Sequence, residues 1–288
     1  MRFCVSYSTP FFGTDPDRLL GYARHAEELG FEGIYLPEHV VGYRGARIGG
    51  FELPPDLDYA DPLDCLSFIA AGTERLLLGT GVLLLPYHHP VTLAKRLATI
   101  DRLSRGRLRL LTIGLGALPG EAEAVGVDFA SRGRRADEAI QLLRLLWSGD
   151  VDGVGFDGEF FTVRDLVSYP KPYGSDPLPI HVGGSSRAAA RRAGRFGDGF
   201  LPGGAVMPQE RARQWDLARS TAAEAGRDPN QLEYTRLAPI DMTEERYQAY
   251  LGAGVDRVVV SATTATPDEQ HEELARFAER FDVARPRA

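Results

Sequence analysis

Lysine is nearly missing from this chain: Lys95 and Lys171 are the two lysines among its 33 lysine and arginine side chains. The positive charge is therefore almost all arginine, a bias of genome composition more than of function. Cysteine is as sparse. Cys4 and Cys65 are too few for a disulfide framework, show no metal-ligand spacing, and sit in apolar surroundings that suit buried small hydrophobes. No apolar run approaches the ~20 residues of a membrane-spanning helix, and no secretory signal pattern opens the chain, so a cytoplasmic protein is expected. A formal net charge of -7 offers no basic surface to nucleic acid.

What the chain does contain is ordinary for a soluble enzyme: 288 residues, 43% hydrophobic and 25% charged, enough to bury a large core. Its organising stretch is Leu76 to Asp101. Leu76–Leu78 and Val82–Leu85 read as one strand buried on both faces, as in a parallel sheet. Between them stands Gly79-Thr80-Gly81, where bulky branched residues would be expected. Glycine inside a strand marks a bulge, a backbone approached by a flat ligand, or room made for neighbouring side chains. Pro86 ends the strand, and Pro90 opens a helix with Val91, Ala94, Leu97 and Ala98 on one face.

The rest of the chain repeats this unit. Strands are expected at 2–8, 33–36, 107–113, 179–182, 199–201, 232–237 and 257–261, with helices between them. Asp157-Gly158, between Val154–Phe156 and Phe160–Val163, signals a two-residue hairpin. The Gly/Pro-rich loop 40–60 is long enough to act as a lid. Eight strand–helix alternations with no linker predict a single domain over 1–288: an α/β protein, a (β/α)8 TIM barrel with a small β-hairpin insertion. An open doubly wound sheet is the competitor.

In such a barrel the chemistry gathers at the carboxyl ends of the strands. Glu38-His39, Gly81-Val82, Gly114-Leu115-Gly116, Gly183-Gly184-Ser185-Ser186 and Ser261 fall there. Gly183 to Ser186 leads into a helix, and its close backbone, hydroxyls and free first-turn amides suit a phosphate; the same residues also suit a serine-capped turn. His39 fits either a general acid or base near neutral pH or a hydrogen-bonded structural residue. Glu38 would accept hydrogen bonds from a ligand or cap its loop. His88-His89 suits packing at the start of a helix rather than a metal, since no third ligand is apparent. Gly114-x-Gly116 is too short for a dinucleotide fingerprint. Arg132, Arg134 and Arg135, like Arg191, Arg192 and Arg195, read as solvated helix faces.

Further landmarks are Pro90 to Leu103 with Arg105-Gly106-Arg107, Arg132 to Arg135 with Asp137-Glu138, and Leu145-Leu146-Trp147. Gly158-Glu159-Phe160-Phe161, Pro170-Lys171-Pro172, His181-Val182-Gly183-Gly184 and Gly197-Asp198-Gly199-Phe200 follow. Together with Gly79 to Val82 and Gly114 to Gly116, in this order, they resemble the luciferase-like monooxygenase superfamily, in its branch dependent on the deazaflavin coenzyme F420. The resemblance implies a barrel of the bacterial-luciferase type, a homodimer, and an oxidoreductase moving a hydride between F420 and a small organic substrate. It also implies a non-prolyl cis peptide in a bulge at Gly81-Val82 behind the ring, with Leu84 in the same cofactor-binding set. Gly114, Leu115 and Gly116 would line the ring and tail, and Gly183, Gly184, Ser185 and Ser186 would hold the phosphate. Glu38 would lie against the ring and His39 would donate or accept a proton, which makes these two the candidate catalytic residues.

One position departs from the pattern. The sugar-phosphate dehydrogenases of this branch carry a catalytic glutamate directly after the Gly-x-Gly, where this chain has Ala117. With no lysine beyond Lys171, this argues against glucose-6-phosphate oxidation of that type. Two rivals stand beside the deazaflavin reading: a monooxygenase using reduced FMN and oxygen, and a barrel that binds a flavin without catalysis. The 40–60 loop, with Tyr43, Arg44, Arg47 and Phe51, is expected to set substrate choice.

Overall fold

A computed structural model describes residues 1–174, 177–204 and 206–283. Strand β1 (Arg2–Ser6) leads through a single turn, α1 (Thr9–Phe12), to α2 (Pro16–Glu28). Strand β2 (Gly33–Leu36) enters the long loop, where β3 (Arg47–Ile48) and β4 (Phe51–Glu52) form a small ribbon. Next come α3 (Pro62–Gly72), β5 (Leu77–Leu84), α4 (Pro90–Leu103), β6 (Leu110–Gly114), the short α5 (Pro119–Ala124) and α6 (Arg132–Ser148). An antiparallel hairpin of β7 (Val154–Asp157) and β8 (Thr162–Leu166) precedes β9 (His181–Gly183) and α7 (Arg187–Phe196). The chain closes with β10 (Gly199–Leu201), α8 (Pro208–Glu224), β11 (Glu233–Pro239), α9 (Glu244–Gly252), β12 (Arg257–Ser261) and α10 (Pro267–Phe281).

β1, β2, β5, β6, β9, β10, β11 and β12 close in that order into a barrel, each neighbouring pair parallel. The expected (β/α)8 architecture is therefore present, and the open sheet is excluded. Helix starts follow from side-chain caps: Asp15 accepts the Arg18 N–H at 2.9 Å, and Thr266 with Glu269 makes a capping box. Gly30, at φ 85°, lets the chain turn out of α2 in the left-handed region.

The strands face two ways. Outward residues such as Val5, Ile34, Leu78, Ile113, Val182 and Val260 are at most 1% exposed beneath the helices. Each contributes about 1.5–3 kcal/mol by leaving water. Inward, Cys4, Tyr35, Leu110, Leu201 and Val259 pack as one apolar layer. A Cβ on Gly79 would collide with the Leu110 side chain, so that glycine makes room inside the barrel.

Below this layer, at the amino ends of the strands, lies a net of charge. Buried Arg257 donates to Glu32 at 2.5 Å and to Glu233 at 2.7 Å, while Arg2 reaches the same carboxylates at 3.0 and 2.6 Å. That network closes the floor. The opposite end is open: Leu237, at the upper end of β11, is 49% exposed.

The hairpin differs from the expectation. It turns through residues 158–161 rather than through two, since Asp157 pairs with Thr162. The cause is Glu138, whose carboxylate accepts the N–H groups of Glu159, Phe160 and Phe161 and so holds a wider loop. α1, α5 and the β3–β4 ribbon also lie in segments read as loop or strand end. Among the described residues no helix is long and apolar enough to cross a membrane, and no group of three or more His, Cys, Asp or Glu could hold a metal ion.

Candidate functional site

The open mouth is shaped by the bulge in β5. Pairing with β6 runs in register through Gly81 and Thr112 and resumes at Leu83 and Ile113, so Val82 is the extra residue. The Gly81–Val82 peptide is cis. Val82 reaches across to two neighbouring strands. A Cβ on Gly114 would collide with one of its methyls, and a Cβ on Gly183 would lie 2.5 Å from the other. Glycine at both positions is room for Val82, a packing role for residues expected as cofactor contacts. Gly81 differs, because a Cβ there would meet nothing nearer than Tyr35 at 3.4 Å. Its face stays bare.

Glu38 holds the bulge in place. It is 5% exposed, and its carboxylate accepts the Leu84 N–H at 2.5 Å and the His88 Nε2–H at 2.8 Å. Its own N–H donates to Val82 O at 3.2 Å. Both carboxylate oxygens are thus committed to the segment carrying the bulge. His88 is a partner of Glu38, and His89 caps α4 by accepting the Val91 N–H at 3.3 Å, so the two histidines do more than pack.

His39 makes a separate pair. Its Nδ1 lies 3.2 and 3.3 Å from the two carboxylate oxygens of Glu121, and the Val40 N–H donates to Glu121 Oε1 at 2.6 Å. The Glu121 side chain is fully buried. An ionised carboxylate only accepts, so the hydrogen of a neutral His39 sits on Nδ1 and Nε2 remains available. The imidazole leans edge-on against Tyr59, with ring centroids 4.7 Å apart. It borders a cavity of about 70 Å³ beneath the 40–60 loop, shared with Tyr43, Leu57 and Leu118. Tyr43 ties that loop down by accepting the Gly120 N–H at 3.3 Å.

Sequence reasoning missed Glu121. Its signal was Pro119-Gly120-Glu121, a proline-opened helix start just past a barrel strand, which puts an acid where site residues gather. Tyr87 was also missed. Its buried hydroxyl has no hydrogen-bond partner among the described residues, and burial, before the nearby Glu121, pushes the phenol up to about 12. Gly116, at φ 78°, admits that hydroxyl where a Cβ would collide with it.

Across the mouth, the Gly184 N–H donates to Leu201 O at 3.2 Å, and Ser186 Oγ accepts the Ala189 N–H at 3.1 Å. The capped-turn role therefore holds for Ser186. The first intrahelical bond runs from Ala190 N–H to Ser186 O, so the amides of Arg187 and Ala188 have no intrahelical acceptor, and Ser185 is exposed beside them.

Three arginines depart from the expectation of solvated faces. Arg132 donates to Gly116 O at 3.3 Å with its guanidinium 3.6 Å over the Phe129 ring. Arg135 donates to Pro86 O at 3.0 Å. Arg192 is 8% exposed, pairs with Asp137 and donates to Gly133 O at 3.0 Å. They tie two loop carbonyls, Gly116 and Pro86, and the first turn of α6 to their neighbours. Arg134, Arg191 and Arg195 are exposed as expected.

The sequence model of the luciferase-like monooxygenase family matches residues 1–287. Limonene 1,2-monooxygenase of Rhodococcus erythropolis is 29% identical over 253 residues, which cover 86% of this chain and 61% of that protein. An F420-dependent glucose-6-phosphate dehydrogenase of Beutenbergia cavernae is 37% identical over 191 residues, covering 65% of this chain and 52% of its own length. The chain thus spans about half to three-fifths of the length of these relatives. Among solved structures, an F420-dependent secondary alcohol dehydrogenase in complex with an F420-acetone adduct superposes with a TM-score of 0.81, covering 99% of both chains at 18% identity. At that identity the likeness shows the fold.

Proposed function

The chain belongs to the luciferase-like monooxygenase family, and from that premise we propose that it is an oxidoreductase using coenzyme F420 to exchange a hydride with a small organic substrate. The observation that carries this reading is the pairing of His39 with buried Glu121 at the carboxyl end of β2, beside the bare face of Gly81. Interconverting an alcohol and a carbonyl moves a hydride at carbon and a proton at oxygen, and the second needs a positioned acid or base.

The residues fit such a cofactor. Gly81, Val82 and Leu84 with Gly114, Leu115 and Gly116 would surround the ring, where Tyr87 keeps an unpartnered hydroxyl. Gly183, Gly184, Ser185 and Ser186 would hold the phosphate at the first turn of α7. When bound, the deazaflavin supplies a carbon that accepts or returns a hydride. His39 Nε2 would take or give the substrate's hydroxyl proton, and Glu121 would fix the imidazole's orientation through Nδ1. Glu38 would act through the bulge it anchors. The 40–60 loop would cover the substrate and exclude water.

Ala117 is exposed and carries no carboxylate, which supports a substrate other than a sugar phosphate. Fluorescence titration with F420 and, separately, FMN tests the reading. Micromolar binding of F420 with little response to FMN is expected. Preference for FMN would move the protein to oxygen-using chemistry, and binding of neither would overturn the phosphate site at Gly183 to Ser186.

A further inference from the structure

A second concavity lies beside this mouth. It is a groove of about 870 Å³ between α8 and α9, over the outward face of β11, and Gly203, Gly204 and Leu237 bring it to the catalytic end of the barrel. Its origin is local. α9 has nine residues, of which only Tyr250 is buried, so the helix covers little of β11. On β12 the outward positions are Val258 and Val260; the corresponding face of β11 carries Tyr234 and Arg236.

Arg236 is placed for a ligand. Its Nε is buried without a hydrogen-bond partner, its other nitrogens make long contacts of 3.4 and 3.5 Å to the hydroxyls of Tyr234 and Tyr250, whose rings lie 5.9 and 4.8 Å from the guanidinium, and no carboxylate lies in ion-pair range among the described residues. A half-buried guanidinium with such weak partners gains from an incoming anion. Arg211 lies on the same wall, donating to the carbonyls of Pro202, Gly204 and Val206. Burial first, and then Arg236, hold its pKa below the ordinary value, as expected of neighbouring cations. Arg246, Asp216 and Glu245 stand exposed on the rim, so the two half-buried charges of the groove, Arg211 and Arg236, are both cationic.

The groove also begins where the phosphate loop ends. A Cβ on Gly204 would lie 3.3 Å from Ser185 Oγ, and Gln214 of α8 donates to Ser185 O at 3.0 Å. A chain leaving a phosphate at Gly183 to Ser186 meets the groove next.

We propose that the groove binds the carboxylate-bearing tail that F420 carries beyond its phosphate, with Arg236 as the inner and Arg246 as the outer anion partner. This rests on the deazaflavin reading above. FMN ends at its phosphate and would leave the groove unused.

The test is equilibrium binding, by fluorescence, of F420 with several glutamates and of a form cut back to the phospholactyl group. Wild-type protein should prefer the full tail, and added salt should erode that preference. Arg236→Met should weaken the full-tail form about tenfold and change the truncated form less than about twofold. Arg246→Gln, on an exposed side chain that the fold does not need, should do the same more weakly, so the test survives if Arg236→Met misfolds. Equal binding of both forms by wild type, or equal weakening of both by Arg236→Met, would overturn the groove assignment and leave the cofactor reading standing. Failure of both forms to bind wild type would remove the cofactor reading and the groove assignment with it.

Discussion

His181 makes the barrel floor sensitive to acid over a definable range. It is 2% exposed at the start of β9, its Nδ1 has no hydrogen-bond partner among the described residues, and its Nε2 lies 3.4 Å from the Glu233 carboxylate. Burial outweighs the attraction of Glu233 and pushes the imidazole from 6.5 down to about 4. Between these values the unfolded chain holds a proton that the folded chain refuses. Stability is therefore complete above pH 6.5 and falls as the pH drops towards 4. At 1.36 kcal/mol per unit the full loss is about 3 kcal/mol. Urea unfolding from about pH 7 to about pH 4.5 should show this decline, and His181→Gln should flatten it whatever its stability at neutral pH. His271 is also shifted downward, by burial first, but it is untouched by the substitution, so the difference between the two proteins isolates His181. Glu233, which burial pushes up but Arg257 and its other cationic neighbours together hold down to about 2, enters only below its ordinary 4.5. Parallel pH profiles for wild type and His181→Gln would refute the reasoning.

Two further outcomes follow from pairings across the barrel. Arg257→Met should cost about 3 kcal/mol, the low end for breaking a buried pair, because Arg2 still reaches Glu32 and Glu233 and both carboxylates are partly hydrated. A loss under about 1 kcal/mol in thermal or urea unfolding would show the network to be dispensable. His39→Ala should cut turnover by about a hundredfold with cofactor binding nearly intact, and Glu121→Ala by about tenfold. If Glu121 acts through His39, the double variant turns over no more slowly than His39→Ala alone; additive losses would give Glu121 a role of its own.

The sequence revealed the barrel because strands buried on both faces read as continuous apolar runs, and the βα turns between them are punctuated by glycine and proline. It also directed attention to the strand ends, where the chemistry of such a barrel gathers. What it hid are the side chains that meet across strands. His39 and Glu121 are 82 positions apart, and Glu38 and His88 are 50 apart, with nothing local to join them. A glycine at a strand end reads the same whether its space is kept for a ligand or filled by a neighbour's methyl. The bulge throws Val82 across the mouth, so that a Cβ on Gly114 or Gly183 would meet its methyls, whereas one on Gly81 would meet nothing nearer than Tyr35. Ala117 makes the same point for the chemistry. An acid directly after Gly-x-Gly would stand on an exposed position, whereas Glu121 is fully buried against an imidazole. A motif comparison that stops at Ala117 finds a missing carboxylate; the fold carries one a helical turn further on, directed at His39.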